Sequence, residues 1–247
     1  KIAGGIADDM LSTTIMAAKC PKLIAPAMNT NMLENPIVQD NIRKLQSYGY
    51  EIIESASGYL ACGDTGKGKL PNEQLLVDYI LKYIAAEKDM QGIKVLVTAG
   101  PTMEAIDPVR FISNHSTGKM GYAIARQAML RGADVTLVTG KVAITPPEFV
   151  TVVPVTSAQD MYEAVTAASA DQDIIVKAAA VADYKPAEVS DNKIKKSDAD
   201  MSIPLTRTKD ILAFLGMQRE EARKTDGDSR LARQIICGFS METQNLL

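Results

Sequence analysis

Residues 93–98 read Ile-Lys-Val-Leu-Val-Thr, an apolar β-branched run of the kind that fills a buried strand. Similar runs recur at Val135–Thr139, Thr151–Val155, Asp173–Ala178 and Gln234–Gly238, and each predicts a strand. Between them the apolar period lengthens towards 3.6, which predicts helices over Lys119–Arg131, after Ser157, and over Lys209–Lys224. Ser157 with Asp160 three residues on has the form of a helix N-terminal cap. Val181–Ser202 follows neither period and reads as irregular. Strands alternating with helices predict an α/β fold: a doubly wound, mostly parallel, Rossmann-like sheet with helices on both faces.

The first third of the chain is patterned less regularly. A helix is predicted from Ile6 to Ala18, a strand at Lys22–Ala25 and a loop from Pro26 to Leu33. Asn35-Pro36 marks a helix start, followed by Val38, Ile42 and Leu45 on one face and a stop at Gly49. A short strand Glu51–Ile53, a glycine-rich loop Ser55–Pro71 and a helix carrying Leu75, Leu76, Tyr79, Ile80 and Tyr83 complete it. The charged stretch Glu87-Lys88-Asp89 predicts a boundary. We expect one domain over 1–86, a linker over 87–92 and a second domain over 93–247. Lys1-Ile2-Ala3 opens as if in mid-domain and Gly238-Phe239-Ser240 exits a strand, so the chain reads as a fragment.

Composition narrows the function classes. With 247 residues, 46% apolar, 23% charged and a formal charge of −3, the chain has the make-up of a soluble protein and no electrostatic case for nucleic acid or an anionic membrane. Its apolar runs, such as Ile174-Ile175-Val176, are too short to span a bilayer, and residues 1–20 lack a secretory pattern. Cys20, Cys62 and Cys237 are too scattered for a disulfide framework or metal motif, which predicts a reducing, cytoplasmic setting. His115 is the lone histidine, so no triad or metal cluster can be built around histidine.

Candidate chemistry concentrates where Val95-Leu96-Val97 runs into Gly100, a long polar loop, and then Ser116-Thr117-Gly118-Lys119-Met120-Gly121 at a helix start. Strand, glycine turn and helix N-terminus aim backbone N–H groups at one spot, a device for anions. The glycine spacing is not that of a dinucleotide fingerprint, and Thr139-Gly140-Lys141 lacks the acidic residue that would hold a ribose. A nucleotide is therefore the reading of choice over a structural turn, and nicotinamide is disfavoured. Gly63–Lys69 fits the spacing of a phosphate-binding P-loop, but Leu70 replaces the Mg²⁺-holding hydroxyl and Pro71 opposes a helix there. Lys193-Ile194-Lys195-Lys196 is either a solvated face or a basic loop closing on phosphates. Asn29 is turn chemistry or a ligand; Cys62 is a small apolar filler or a proton donor. A nicotinamide enzyme and a non-catalytic nucleotide-binding module stay open as alternatives.

Taken in order, PAMN, ACGDTGKGKLP, TAGPTMEAIDPVRFISNHSTGKMG, KAAAVADYKP, KIKK and GFSMET give the chain a close resemblance to one family. It resembles the bifunctional phosphopantothenoylcysteine decarboxylase/phosphopantothenate–cysteine ligases of coenzyme A synthesis, over its whole length. The resemblance implies a partial flavodoxin-like, FMN-dependent decarboxylase over 1–86, with Asn29 on the substrate carboxylate and Cys62 as proton donor under a lid at Gly58–Lys69. It implies that the catalytic histidine of that half precedes Lys1. For 93–247 it implies a ligase in which CTP, carrying Mg²⁺, activates 4′-phosphopantothenate as an acyl-cytidylate that L-cysteine then displaces. Gly100, Gly118, Lys119, Met120, Gly121, Ala179, Ala180, Asp183, Lys195, Lys196 and Phe239 would border the nucleotide. Asn114 and Arg110 would act on the acyl intermediate, with Lys193 as the key lysine of a mobile loop and no protein metal ligand. A ligase dimer and a decarboxylase trimer are the assemblies implied.

Overall fold

In the computed structural model, which describes residues 1–61, 63–196 and 200–240, the chain divides into two units, Lys1–Ala86 and Glu87–Leu247. The first opens with a 3-10 turn at Ile2–Gly4 and helix α1 at Met10–Ala17. That helix starts at Met10 rather than Ile6 because Asp9 caps it: its carboxylate accepts from the Ser12 N–H at 2.8 Å. Strand β1 (Leu23–Ile24) leads to α2 (Thr30–Leu33), a single turn inside the stretch expected to be loop. Asn29 Oδ1 starts this turn by accepting from the Asn31 N–H at 2.9 Å. Helix α3 (Pro36–Ser47) begins at Asn35-Pro36 as the sequence predicts, with Asn35 Oδ1 accepting from the Ile37 N–H at 3.0 Å.

Strand β2 (Glu51–Ile52) pairs in parallel with β1. Residues expected to form a glycine-rich loop instead make an antiparallel hairpin, β3 (Ala56–Tyr59) and β4 (Thr65–Lys69). Thr-Gly-Lys-Gly-Lys shows no apolar alternation, so only its backbone pairing identifies it as a strand. Gly66 and Lys67 lie in that strand, which removes the P-loop reading. Helix α4 (Glu73–Ile84) follows, capped by Asn72.

The second unit is built on strand β5 (Lys94–Ala99). Its long polar loop contains a further hairpin, β6 (Met103–Ala105) with β7 (Phe111–Ser113), before α5 (Lys119–Leu130). Then come β8 (Asp134–Thr139), β9 (Thr151–Pro154), α6 (Ala158–Ser169) and β10 (Ile174–Lys177). The stretch expected to be irregular contributes β11 (Tyr184–Pro186), which pairs antiparallel with β12 (Leu205–Arg207). Helix α7 (Ile211–Thr225), the short α8 (Arg230–Arg233) and β13 (Ile235–Gly238) complete the unit.

Five of these strands form one parallel sheet in the order β13-β10-β5-β8-β9. Strand alternation sends Leu96, Val138 and Ile175 to one face, where they pack with Met161 and Val165 of α6 and Ile211 and Leu215 of α7. Val95, Ile174 and Val176 face the other way and line a groove with Ala123, Ile124 and Ala128 of α5. Leu96 and Leu137 are fully buried. Each such side chain contributes about 1.5–3 kcal/mol relative to exposure. The unit is an α/β fold with a parallel central sheet, and its strand ends are where ligand-binding loops collect.

Candidate functional site

Beyond their last sheet residues, β5 and β10 continue side by side. Pro101 and Ala180 form a parallel bridge, the Ala180 N–H donates to Gly100 O at 2.9 Å, and the Thr102 N–H donates to Ala180 O at 3.3 Å. Two buried threonines hold this extension: Thr98 Oγ1 accepts from the Ala179 N–H at 3.2 Å and Thr102 Oγ1 from the Ala182 N–H at 3.0 Å. Asn114 Nδ2 donates across the same gap to Val181 O at 3.2 Å and Ala180 O at 3.4 Å. Gly100, Asn114, Ala179 and Ala180 are thus brought together by bonds between segments far apart in sequence. Asp183 stands exposed at the end of this run, its carbonyl accepting from the Thr208 N–H at 2.9 Å.

The β6–β7 hairpin is fixed over the strand ends from two sides. Buried Glu104 accepts from the Ala158 N–H at the start of α6 at 2.8 Å, and the Met103 N–H donates to Thr156 O at 2.8 Å. On the other side Arg110 reaches the lysine segment: its Nη2 donates to Ile194 O at 2.5 Å and its Nε to Asp107 Oδ2 at 2.9 Å. Lys193, Lys195 and Lys196 are all exposed around that anchor. Phe239 lies half-exposed beyond β13, and its N–H donates to Lys177 O at 3.4 Å.

Helix α5 starts at Gly118 in a left-handed conformation (φ 73°), and no side chain caps it. A side chain at that φ would be strained, and Val142 Cγ1 already stands 3.0 Å from where a Cβ would sit. Val142 lies against Gly100 as well, so the β8–β9 loop packs directly on the glycine turn. Gly121 serves packing: a Cβ there would come within 2.6 Å of Ala99 Cβ, so its absence lets α5 lie close on β5. Lys119 and Met120 are both exposed beside the helix start, and Met120 also borders the apolar groove with Val95 and Val176.

In the first unit Asn29 spends its Oδ1 on capping α2 and sets its Nδ2 3.4 Å from Asp64 Oδ2. The β3–β4 hairpin lies on the same loop, with the Met28 N–H donating to Gly68 O at 2.9 Å and Thr30 Oγ1 to Lys67 O at 2.7 Å. Cys62 lies outside the described residues. Among those described, no group of three or more His, Cys, Asp or Glu stands where it could hold a metal ion, and no helix is long and apolar enough to cross a membrane.

Four side chains at the site escaped the sequence reading. Thr98 and Thr102 carried a usable signal, being hydroxyls inside an otherwise apolar strand exit. Asp107 precedes a proline and forms an Asx turn, its Oδ1 accepting from the Val109 and Arg110 N–H groups, both at 2.8 Å. Lys177 ends β10 half-buried. Desolvation lowers its pKa, while the charges of Asp210 and Asp183 oppose the shift.

Comparisons with known proteins align with this division. Residues 90–247 match the DNA/pantothenate metabolism flavoprotein C-terminal domain, and residues 1–85 match the Flavoprotein family. The coenzyme A biosynthesis bifunctional protein CoaBC of Bacillus subtilis is 47% identical over 249 residues, covering 100% of this chain and 58% of the relative. The protein of the same name from Haemophilus influenzae is 43% identical over 242 residues, covering 98% and 58%. The chain therefore spans 58% of the length of these relatives. A crystal structure of the C-terminal domain of a CoaBC protein superposes with a TM-score of 0.51 at 46% identity, covering 65% of this chain and 69% of that one. The chain belongs to the family of the DNA/pantothenate metabolism flavoprotein C-terminal domain, joined here to a segment that matches the Flavoprotein family.

Proposed function

We propose that this chain carries the ligase site, and part of the decarboxylase, of a bifunctional enzyme of coenzyme A synthesis. The observation that carries the reading is the meeting of Gly100, Asn114, Ala179–Asp183 and the Arg110-anchored lysine segment at one edge of a parallel sheet. The domain assignments are 1–86 for the decarboxylase part, 87–92 for the linker and 93–247 for a doubly wound, Rossmann-like ligase domain. The relatives' name, coenzyme A biosynthesis bifunctional protein, supports the pathway.

In the ligase reaction a carboxylate oxygen of 4′-phosphopantothenate attacks the α-phosphorus of CTP. The bond to the β-phosphate oxygen breaks and pyrophosphate leaves. The amino group of L-cysteine then attacks the acyl carbon, CMP departs, and the ammonium proton passes to water. Little general base is needed. The demand is for charge neutralisation and positioning. Lys193, with Lys195 and Lys196, supplies positive charge to the phosphates, which bring their own Mg²⁺. The N–H groups of Lys119, Met120 and Gly121, uncapped by any side chain, suit an anion. Asn114 and Arg110 face the acyl group, Ala179, Ala180 and Phe239 border the base, and Asp183 takes the ribose.

FMN, when bound to the whole enzyme, supplies the oxidation of the substrate thiol that makes carboxylate loss easy. In the β3–β4 hairpin the spaces beside Gly66 and Gly68 are filled by Thr30 Oγ1 and Met28 O, 2.4 and 2.0 Å from where Cβ atoms would stand, so these two glycines leave no room for it. No step here runs through the flavin. Asn29 would hold the substrate carboxylate, with Cys62 as proton donor, under the β3–β4 lid. A cytoplasmic enzyme, dimeric through its ligase half and trimeric through its decarboxylase half, completes the proposal.

The test is pyrophosphate release from CTP and phosphopantothenate by the full-length protein. Lys193→Gln should lower turnover on the order of a hundredfold, and Asn114→Asp should slow product formation at the acyl step. Turnover indifferent to both changes would refute the site.

A further inference from the structure

The lysine segment has no helix or strand of its own, yet its backbone is tied down at two points. The Ser190 N–H donates to Ile106 O at 3.0 Å, and the Ile194 peptide is gripped from both sides. Its N–H donates to Asp107 Oδ2 at 3.1 Å while its carbonyl accepts from Arg110 Nη2 at 2.5 Å. The two oxygens of Asp107 divide the work. Oδ1 closes the local turn through the Val109 and Arg110 N–H groups; Oδ2 takes Arg110 Nε and the Ile194 N–H, 87 residues away. The carboxyl is fully buried. Burial alone would raise its pKa, but the N–H donors of Val109, Arg110 and Ile194 and the Arg110 guanidinium outweigh it and hold the group ionised, well below the usual carboxylate range.

A local Asx turn needs only one oxygen. The second is shared between the Arg110 guanidinium and the Ile194 N–H, so it ties the segment that carries Lys193 to the same arginine that grips the Ile194 carbonyl. We propose that Asp107 is a positioning residue: with Arg110, its carboxylate latches the Lys193–Lys196 segment to the β6–β7 hairpin and sets where the lysines meet the nucleotide phosphates. This rests on the ligase reading above. The latch also gives Arg110 a task besides the acyl group, since one guanidinium joins the hairpin, the buried carboxylate and the lysine segment.

Asp107→Asn separates the two oxygens. An asparagine keeps one carbonyl for the turn, where it is a favoured residue, and turns an NH₂ towards donors from Ile194 and Arg110. Hydrogen exchange of the full-length protein without nucleotide should then quicken about tenfold or more at Ile194, the size expected for a lost charge-assisted bond, with the amides of β5 and β10 unchanged. The KM for CTP should rise about tenfold with kcat altered less than about threefold. In a Lys193→Gln background the same change should add nothing. Unchanged exchange at Ile194 would overturn the latch, and faster exchange with an unmoved KM would overturn its part in positioning. Indifference of turnover to Lys193→Gln sinks the ligase site instead, a failure told apart because exchange is read without substrate. Should Asp107→Asn not fold, the wild-type protein decides: its Ile194 amide should exchange at least about tenfold more slowly than that of Asn192, and equal rates would overturn the proposal.

Discussion

The two units of this chain share a vocabulary of short strands and capped helices but bury their apolar residues very differently. In the second, Leu96, Val97, Leu137 and Val138 are at 0% exposure and every strand of the main sheet has a parallel neighbour. In the first, β1 and β2 are two residues each, and Met10, Leu11, Ile37 and Ile84 stand 69–84% exposed. Local signals start helices equally well in both. What separates them is closure of a core, and capping alone does not supply that.

The sharpest break in that comparison is core truncation. Leu96→Ala should cost about 2–5 kcal/mol of the second unit's stability in urea unfolding, whereas Met10→Ala in the first should stay within about 0.5 kcal/mol. Equal effects would mean that Met10 is buried in solution. Next in size is Gly121→Val, which forces side-chain atoms into Ala99 and the Thr98 carbonyl, 2.6 and 2.9 Å from the new Cβ. We expect a loss of about 1–3 kcal/mol, read as a lowered Tm.

Caps provide a finer test. Ser157→Ala removes the acceptor of the Asp160 N–H and should cost about 1 kcal/mol, and Asn72→Ala should do the same to α4. A similar cost in both units would support the view that helix initiation is local everywhere. The smallest effects are in pH. Tyr83 in the first unit is raised to about 12, chiefly by burial and then by its hydrogen bond to Glu51. Its folded pKa lies above the unfolded one, so that stabilisation is whole below pH 10 and is lost as pH climbs towards 12. Asp107 in the second unit is shifted the other way, so its contribution is present above the ordinary carboxylate pKa and is lost in acid as pH falls below about 4. Tyr83→Phe should flatten the alkaline limb alone, and Asp107→Asn the acid limb alone, in stability measured against pH.

How much was legible beforehand follows the same division. Asn35-Pro36 and Ser157-Asp160 announced their helices because a cap acts within three or four residues. The β5, β8 and β10 runs announced a parallel sheet because burial on both faces leaves a continuous apolar signature. The β3–β4 hairpin did not announce itself, since Gly66 and Gly68 bear no side chain to alternate. Asp9 falls inside the predicted helix Ile6–Ala18 and Asn29 inside the predicted loop, although each is the cap that starts a helix. At the site, glycines and lysines were visible as types, but their neighbours were not. Thr98 meets Ala179, Thr102 meets Ala182 and Asp107 meets Ile194 across 81, 80 and 87 residues, and no local pattern encodes such a pairing.

The first two of those meetings run nearly in step, as two strings laid alongside one another past the end of the sheet, and the third follows a slip between the strings. Chain length is therefore constrained there as tightly as chemistry. An extra residue between Thr98 and Thr102, or between Ala179 and Ala182, would put Thr102 out of step with Ala182, while the Thr145-Pro146-Pro147 stretch lies outside both strings and should take an insertion more readily.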